Sequence, residues 1–429
     1  MLSLQHKTKD MSTLRFKYLH KVEGEKNQNK FYKMQENADG TFTVTYGREG
    51  AAKPATETYP LHRWETKLNE KLSSKKGYTD VTEHRTEATV PVQTKNSKGV
   101  PIISNDKHVN ELITALQNYA SAQTAQVYKA EAKGVTQKQI DDAQKYIDNL
   151  SFSMKNHFGK SEWSISKFNT ELTKLYIIIP RKMIKVADHL ITEKMSDTEI
   201  LSLINEEQSN LDSMASQVIT NTAANAADDT DKVQTTLMDT LGLTMELVTD
   251  ASEMQLIKSK AQNHSHRVLR AFKVVNKATQ SVYDVQLRNA KDKKTDLLWH
   301  GSRNQNWWFI IQQGLKIRPS GAVHTGSMWD DGIYAACHSD KSMGYTDGGR
   351  WTSGGSTRKV IFMALFEFHL GKQLIKTSHD SSCYQISKEC KNKGFDSVWA
   401  KAGAGIVRDE FIVYQPNQCT IKYLIEFSA

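Results

Sequence analysis

The hydrophobic repeat of this 429-residue chain changes twice along its length, and the change limits the folds open to it. Over about the first 90 residues, apolar side chains alternate with polar ones, which is the period of a half-buried strand. Between Asp106 and about Val218 they recur at three- and four-residue spacing, which indicates amphipathic helices. From Arg267 onward, apolar runs separated by glycine-rich loops again indicate strands. A chain of this length and pattern is expected to form several domains rather than one core.

The predicted domain boundaries lie in two polar stretches. Residues 84–104 hold two prolines among mostly polar neighbours, and residues 219–232 have no large apolar side chain after Ile219. The fold class is therefore multidomain α+β. The predicted organisation is a small antiparallel sheet with one helix over residues 10–90, a linker over 91–105, an all-α helical bundle over 106–218, a linker over 219–235, and a mixed domain of packed β-sheets over 236–429.

Local signals support the first two of these domains. A turn signal precedes the alternating Phe42 and Val44, and apolar residues at helical spacing predict a helix over Leu61 to Leu72. In the second domain, Thr136 and Gln139 are spaced as a capping box before a helix.

Charge is distributed unevenly around a net value of +9. Lys and Arg outnumber Asp and Glu by 18 to 12 over residues 1–100 and by 25 to 18 after residue 235, whereas acidic residues lead by 18 to 14 between them. A basic terminal domain favours a polyanionic partner such as nucleic acid. A solvated charged surface would have the same composition, and both interpretations stay open at this point.

Other features exclude several classes of protein. The longest apolar stretch, residues 360–370, is eleven residues long and contains Glu367, so we expect no membrane span; the first ten residues predict no secretory leader. Four cysteines, none in C-x-x-C spacing, favour neither a zinc finger nor a disulfide framework, and a reducing compartment is expected.

Three short segments of the last domain carry candidate chemistry, namely LLWHGSR around His300, GIY with SDKSMGY around Tyr334 and Tyr345, and RDEFIVY around Glu410. Each is weak alone. A histidine at a strand end is commonly a hydrogen-bonded structural residue, the two tyrosines could be core aromatics, and the glutamate could be an exposed charge at a strand end.

Together and in this order, the three segments resemble the histidine-tyrosine-glutamate signature of the poly(ADP-ribose) polymerases. The resemblance includes LLWHGSRNQNWWFIIQQGLKI, GSMWDDGIYAACHSDKSMGY and DEFIVY. The preceding domain resembles the family's helical regulatory domain through GVTQKQIDDA and FNTELTKLYIIIPRK. The first resembles a WGR domain through NKFYKMQ and YGREG, with Tyr46 where the family has tryptophan and Arg48 as its arginine.

The resemblance implies transfer of ADP-ribose from NAD+, with NAD+ as a substrate and no metal. Cleavage of the nicotinamide–ribose bond passes through an oxocarbenium-like transition state, which a carboxylate stabilises. The implied roles are these: His300 holds the adenosine ribose, with Ser302 and Asn306 near the adenosine half; Gly301 and Ser342 bond the carboxamide; Tyr334 and Tyr345 sandwich the nicotinamide ring; Arg318 contacts the adenine side; and Glu410 bonds the nicotinamide ribose and polarises the acceptor.

The leading hypothesis is a poly(ADP-ribose) polymerase without zinc fingers that is activated by DNA breaks. Tyr46 and Arg48 are the candidate nucleic-acid contacts, with a contact between domains as the alternative role of Arg48, and the retained Glu410 favours chain elongation. The expected partners are DNA with strand breaks and protein acceptors that include the protein itself, with no membrane and a monomer in the absence of DNA. The expected compartment is the nucleus in a eukaryote and otherwise the cytoplasm. The alternatives are a mono-ADP-ribosyltransferase and a catalytically silent nucleic-acid-binding scaffold.

Overall fold

A computed structural model describes residues 14–84, 102–157, 164–228, 236–317, 328–347, 349–350 and 359–429. We refer to residues 14–84 as the N-terminal segment, to 102–228 as the helical segment and to 236–429 as the C-terminal segment. Arg318 and most of the linker predicted over 91–105 lie outside the described residues. No helix within the described ranges is both long and apolar enough to cross a membrane.

The N-terminal segment is an antiparallel sheet with one short helix. Its sheet order is β4-β3-β2-β1-β5. The elements are β1 (Phe16–Glu23), β2 (Gln28–Glu36), β3 (Thr41–Arg48), β4 (Ala55–Pro60), α1 (Trp64–Leu72) and β5 (Thr79–Asp80).

This sheet buries side chains on both faces. Phe42 and Trp64 are fully or almost fully buried between the sheet and α1. On the other face, Val22 joins the apolar core of the helical segment, and the buried His20 contacts the Ile177 carbonyl at 3.3 Å through Nδ1. The N-terminal sheet is therefore attached to the helical segment by both apolar and polar contacts.

The helical segment consists of α2 (Lys107–Val127), α3 (Gln137–His157), α4 (Ile165–Ile178) and α5 (Asp197–Asp228). Asp106 caps α2 by accepting from two backbone N–H groups. The capping box predicted before α3 is present, because Gln139 N donates to Thr136 Oγ1 at 3.2 Å and Thr136 N donates to Gln139 Oε1 at 3.0 Å. Apolar residues of α3, α4 and α5 share one core.

One predicted boundary is wrong. The linker expected to start at residue 219 does not begin there, because α5 continues to Asp228. Thr220 accepts hydrogen bonds from Trp308 Nε1 at 2.8 Å and Gln312 Nε2 at 2.9 Å, and Ala223 is buried against the C-terminal segment. Small side chains resemble a linker in sequence, but here they allow close packing of a helix, and alanine is a strong helix former.

The C-terminal segment contains two sheets, with orders β6-β7-β14-β10-β8 and β11-β12-β13-β9. The first sheet is antiparallel, and in the second β11 and β12 are parallel. The strands are β6 (Leu243–Leu247), β7 (Val268–Asn276), β8 (Thr295–Gly301), β9 (Ile333–Ala335), β10 (Val360–His369), β11 (Gln373–Lys376), β12 (Ser397–Ala400), β13 (Glu410–Val413) and β14 (Cys419–Ser428). The helices are α6 (Leu237–Thr240), α7 (Ala251–Ala261), α8 (Lys277–Asn289), α9 (Trp307–Gln313), α10 (Ser339–Met343) and α11 (Ile386–Lys393).

The helical and C-terminal segments share an apolar core. Buried residues of α2, including Leu112 and Leu116, pack in the same cluster as Phe362 of β10 and Trp308 of α9. The chain is therefore a mixed α and β protein with antiparallel sheets, as predicted, whereas the assignment of its first two segments to particular domain families stays a prediction.

Candidate active site

Within the described residues, one backbone bridge joins the two sheets of the C-terminal segment, between Trp299 of β8 and Ala336, the residue after β9. Trp299 N donates to Ala336 O at 2.8 Å, and Ala336 N donates back to Trp299 O at 3.1 Å. Because the pair lies beside both His300 and Tyr334, it brings the first two predicted motifs into contact.

His300 is held in one orientation by this junction. Its Nδ1 lies 3.1 Å from the Tyr334 carbonyl oxygen. Since a carbonyl can only accept, Nδ1 carries the proton and Nε2 is left as an acceptor. Burial lowers the pKa of His300, although the bond to Tyr334 acts against it. A neutral imidazole with a free Nε2 can accept a hydrogen bond from a sugar hydroxyl.

Tyr334, the first aromatic residue of the second motif, is fixed by a tight turn ahead of β9. Tyr334 donates its hydroxyl to Asp330 O at 2.7 Å and accepts from Trp329 N at 3.0 Å. Asp330 has a φ of 65°, in the left-handed region, and its carboxylate accepts from the backbone N and the hydroxyl of Ser387. Burial raises the pKa of Tyr345 to about 12, so this phenol stays neutral.

Glu410 is the first residue of β13 and lies opposite Ala400 of β12. Its carboxylate is buried, and Oε1 pairs with Lys341 Nζ at 2.7 Å. The other oxygen, Oε2, is buried without a hydrogen-bond partner among the described residues. Burial raises the pKa of Glu410, while the Lys341 ammonium and the indole of Trp329 act to lower it. A negative group with one free acceptor is therefore held at the cavity wall.

One cavity of about 290 Å³ collects these groups. Eight of the residues singled out from the sequence line it: His300, Gly301, Ser302, Asn306, Tyr334, Ser342, Tyr345 and Glu410. Ser342 donates its hydroxyl to Trp299 O at 3.1 Å, which leaves the hydroxyl oxygen as an acceptor in the wall. Residues that lie far apart in the sequence thus converge on one concave site, the expected form of a ligand pocket.

Sequence reasoning missed several residues of the site. Lys341 immediately precedes Ser342 within a quoted motif, but its partner Glu410 belongs to a different motif, and no local pattern links the two. Gln208 and Asp212 of α5 also line the cavity. Their contribution depends on how α5 packs, and the sequence gives no signal for it.

Tyr46 and Arg48 do not belong to this cavity. Both lie on β3 of the N-terminal sheet. The Tyr46 hydroxyl donates to Glu57 Oε1 at 2.6 Å, and its ring lies 6.0 Å from that of Tyr32. Arg48 donates to the Met183 carbonyl at 3.1 Å, so its guanidinium contacts the helical segment.

A possible metal-ligand group lies outside the cavity. Glu83, His84 and Asp142 each place a ligand atom within 4.8 Å of the others. The Asp142 carboxylate already pairs with Lys138 at 2.6 Å and with Lys145 at 2.7 Å, and these hydrogen bonds lower its pKa to about 2. Ammonium groups thus already neutralise this carboxylate.

Residues 251–429 match the model of the poly(ADP-ribose) polymerase catalytic domain. The poly [ADP-ribose] polymerase-like protein 100L of Invertebrate iridescent virus 6 is 30% identical over 190 residues, which are 41% of this chain and 99% of the viral protein. The chain belongs to the poly(ADP-ribose) polymerase family. The family predicted from the three motifs is therefore confirmed, as is NAD+ ADP-ribosyltransferase activity.

Cellular members of the family are also similar to this chain. Poly [ADP-ribose] polymerase 1 of Gallus gallus is 29% identical over 209 residues, which are 41% of this chain and 20% of that protein. Poly [ADP-ribose] polymerase 2 of Zea mays is 26% identical over 209 residues, which are 42% of this chain and 31% of that protein. The similarity thus covers a minor part of each cellular protein.

The site geometry fits an NAD+ substrate. Glu410 Oε2 is a buried acceptor that lacks a partner among the described residues, as expected of a group that receives a ribose hydroxyl. Tyr334 and Tyr345 present aromatic side chains to the same cavity, where they can contact a flat nicotinamide ring. In its ionised form, Glu410 can stabilise the positive charge that develops as nicotinamide leaves, and a carboxylate held in place needs little reorganisation to do so.

We predict that Glu410→Gln lowers the rate of ADP-ribosyl transfer by about a hundredfold or more, while the affinity for NAD+ stays within about twofold of the wild type. The amide keeps the shape of the side chain but loses its charge. Single-turnover transfer from labelled NAD+ and equilibrium binding would measure the two effects. Unchanged transfer in this variant would contradict the assignment.

The pH profile gives a second readout for Glu410. Because burial raises its folded-state pKa, wild-type transfer should be lost, as the pH falls, at a higher pH than for an ordinary glutamate. Glu426→Gln is the matched control, since Glu426 is a buried, arginine-paired glutamate of β14 outside the cavity. It should retain both the activity and the pH profile.

Gly301 yields a prediction based on packing. A Cβ at this position would overlap the Ser342 carbonyl oxygen, which is backbone and cannot turn away. Gly301→Ala should therefore push β8 and α10 apart and reduce NAD+ binding by about tenfold or more. Gly134→Ala is the control, because a Cβ there meets no atom within 4 Å. Equal NAD+ affinity in the two variants would show that the close approach does not shape the pocket.

Proposed function

We propose that this protein is a DNA-break-activated poly(ADP-ribose) polymerase that modifies itself and other proteins. The observation that carries the proposal is the position of α5, which forms part of the cavity wall and also packs in the helical core adjoining the N-terminal sheet. A signal received by the N-terminal segment thus has a packed route to the NAD+ site. The compartment we propose is the nucleus in a eukaryote and otherwise the cytoplasm.

In this proposal, α5 restricts access to the NAD+ site. Gln208 and Asp212 line the cavity, and Gln208 is itself buried. Ser209 donates its hydroxyl to Asn306 Oδ1 at 2.7 Å. Asn306 is one of the residues that the family resemblance assigns to the adenosine half of NAD+, so α5 competes with the substrate for this side chain. Loosening of α5 would open the site.

Hydrogen bonds of Arg48 and Asn27 join the N-terminal sheet to the helical segment. Arg48 Nη2 donates to the carbonyls of Met183 and Ile184, at 3.1 Å and 2.8 Å. Asn27, in the β1–β2 turn, accepts from Val186 N at 3.0 Å through its side chain. Three hydrogen bonds thus join one end of the N-terminal sheet to residues 183–186, and a ligand that displaces Arg48 would release the loop that leads into α5.

The N-terminal segment carries side chains of the kinds that bind nucleic acid. The N-terminal segment has an excess of basic residues, and Tyr46 is a partly exposed aromatic residue on the same strand as Arg48. Aromatic faces stack on sugars or bases, and lysine and arginine neutralise phosphates. The end of a DNA strand, or a nick, exposes sugars or bases together with phosphates. This supports a DNA break as the ligand.

The product we propose is a polymer of ADP-ribose. Glu410 is present, and its Oε2 is available to bond and polarise a ribose hydroxyl of the growing polymer. Incubation of the full chain with labelled NAD+, with and without nicked duplex DNA, tests the whole proposal. A DNA-stimulated ladder of products is expected. A single-unit shift would instead indicate a mono-ADP-ribosyltransferase, and equal turnover without DNA would contradict activation.

We predict that Ser209→Gly raises turnover in the absence of DNA by about fivefold. The substitution removes the hydrogen bond to Asn306, which contributes about 1 kcal/mol, and weakens the helix locally. Ser202→Gly makes the same chemical change at an exposed position of the same helix and should leave DNA-free turnover unchanged. Steady-state NAD+ consumption by both variants measures the difference, and a similar response of the two would argue against α5 as the gate.

Arg48 and Tyr46 should have separable roles. Arg48→Ala should uncouple activation while largely preserving DNA affinity, since three of its donor contacts are to backbone carbonyls of the protein. Tyr46→Ala should weaken DNA binding by about tenfold, because stacking contributes about 1–3 kcal/mol per contact. Fluorescence anisotropy with a nicked duplex, measured beside NAD+ turnover, distinguishes the two effects. Wild-type binding and stimulation in both variants would contradict the role given to β3.

A further inference from the structure

Trp329 is a fully buried tryptophan at the edge of the active site, just before the turn that leads into β9. Its indole Nε1 has no hydrogen-bond partner among the described residues. Buried tryptophans usually find an acceptor for this N–H, because leaving it unpaired in a low-dielectric environment is costly. The residue therefore calls for an explanation that packing alone does not supply.

The surroundings of Trp329 hold it in place. Its backbone N donates to the Tyr334 hydroxyl at 3.0 Å, and its carbonyl accepts from the Tyr414 hydroxyl at 2.9 Å. The ring packs edge-on against His379, with centroids 5.1 Å apart. Backbone and ring are thus fixed on several sides, so the direction of the indole N–H is set by the fold.

Trp329 packs on the side of β13 that carries Glu410, because it shares an apolar cluster with Ala400, the cross-strand partner of Glu410, and with Ile412, which is two residues along the same strand. Lys341 already pairs with Oε1 at 2.7 Å, and Oε2 is the buried oxygen without a partner. The indole lies near enough to lower the pKa of Glu410, although the pair does not reach hydrogen-bond geometry in this structure. A buried donor and a buried acceptor, each without a partner among the described residues, therefore lie on the same side of β13 beside the site.

We propose that Trp329 is a positioning residue for the transferase reaction, whose indole N–H donates to the ionised carboxylate of Glu410. Together with Lys341 it holds the carboxylate from two sides and fixes its direction toward the ribose. An ionised oxygen can accept more than one hydrogen bond, so Oε2 remains able to bind a sugar hydroxyl. The inference rests on the transferase site and does not require activation by DNA.

Trp329→Phe tests the proposal, because it keeps an aromatic ring and removes the donor. Loss of a hydrogen bond to the charged form should raise the pKa of Glu410, so that the acid limb of the kcat profile moves to higher pH by about one unit. The KM for NAD+ should change by less than about threefold, since the ring still fills its place.

Other groups near Glu410 do not account for such a shift. The facing side chains that carry charge or titrate are Lys341 of α10, Tyr334 of β9 and Tyr345. Burial raises the pKa of both tyrosines far above neutrality, and burial lowers the pKa of His300, the remaining titratable group of the cavity named from the sequence. None of these is hydrogen-bonded to the indole, so Trp329→Phe should leave them unaffected.

Trp399→Phe is the matched control. Trp399 Nε1 also donates to a carboxylate, that of Asp409 at 2.7 Å, but it lies on β12 outside the cavity. This variant should keep the wild-type pH profile. Coincident acid limbs of the wild type and Trp329→Phe would overturn the proposal, whereas loss of DNA stimulation with the shifted limb retained would count against DNA activation only.

A second measurement covers the case in which Trp329→Phe does not fold. In the wild-type chain labelled with ¹⁵N-tryptophan, one indole N–H resonance should move as Glu410 titrates, and this movement should vanish in Glu410→Gln. No turnover is needed for the experiment. If every indole resonance shows the same pH dependence in Glu410→Gln as in the wild type, no indole senses the carboxylate and the proposal is wrong.

Discussion

The active site depends on the two backbone hydrogen bonds that join Trp299 to Ala336. Within the described residues they are the backbone bridge between the two sheets of the C-terminal segment, and every polar group of Trp299 is hydrogen-bonded. Its backbone N and O pair with Ala336, its carbonyl also accepts from Ser342, and its indole donates to the Lys260 carbonyl at 2.8 Å. Because His300 and Gly301 follow Trp299 directly, a shift of Trp299 would move together the groups that are predicted to bind the ribose and the carboxamide.

Much of this site could be predicted from the sequence because each motif is local. His300 and Gly301 are adjacent, Tyr334 precedes the short helix that holds Ser342, and Glu410 begins an apolar strand. What no local pattern contains is the pairing between motifs. The contact of Lys341 with Glu410 and the approach of Trp329 to the same carboxyl arise only when β9 and β13 pair in one sheet.

Two further results lay beyond the sequence for a different reason. The end of α5 resembles a linker because it has few large side chains, yet tertiary packing against Trp308 makes small residues suitable there. Arg48 could contact either a phosphate or another domain on the sequence alone, and only the folded chain shows that its guanidinium reaches the carbonyls of Met183 and Ile184. In both cases tertiary contacts supply what composition alone does not specify.

The contacts of the helical segment also decide which of its helices can move. Leu112, Ile113 and Leu116 of α2 are buried in the core of the C-terminal segment, and each such side chain stabilises the docked helix by about 1.5–3 kcal/mol. In contrast, α5 meets the cavity through the polar Gln208, Ser209 and Asp212, and a neutral hydrogen bond contributes only about 1 kcal/mol.

A buried ion pair between Arg181 and Glu207 lies one residue before Gln208 on α5. Such pairs contribute little net stability, because burial removes both charges from water, and their partners cannot be separated cheaply. Displacement of the whole helical segment would therefore expose the apolar face of α2, whereas a rearrangement of α5 confined to the cavity-facing Gln208, Ser209 and Asp212 breaks polar contacts and leaves the Arg181–Glu207 pair and the buried Leu211 in place. If the NAD+ site is gated by this segment, α5 is the part that moves and α2 is the part that stays in place.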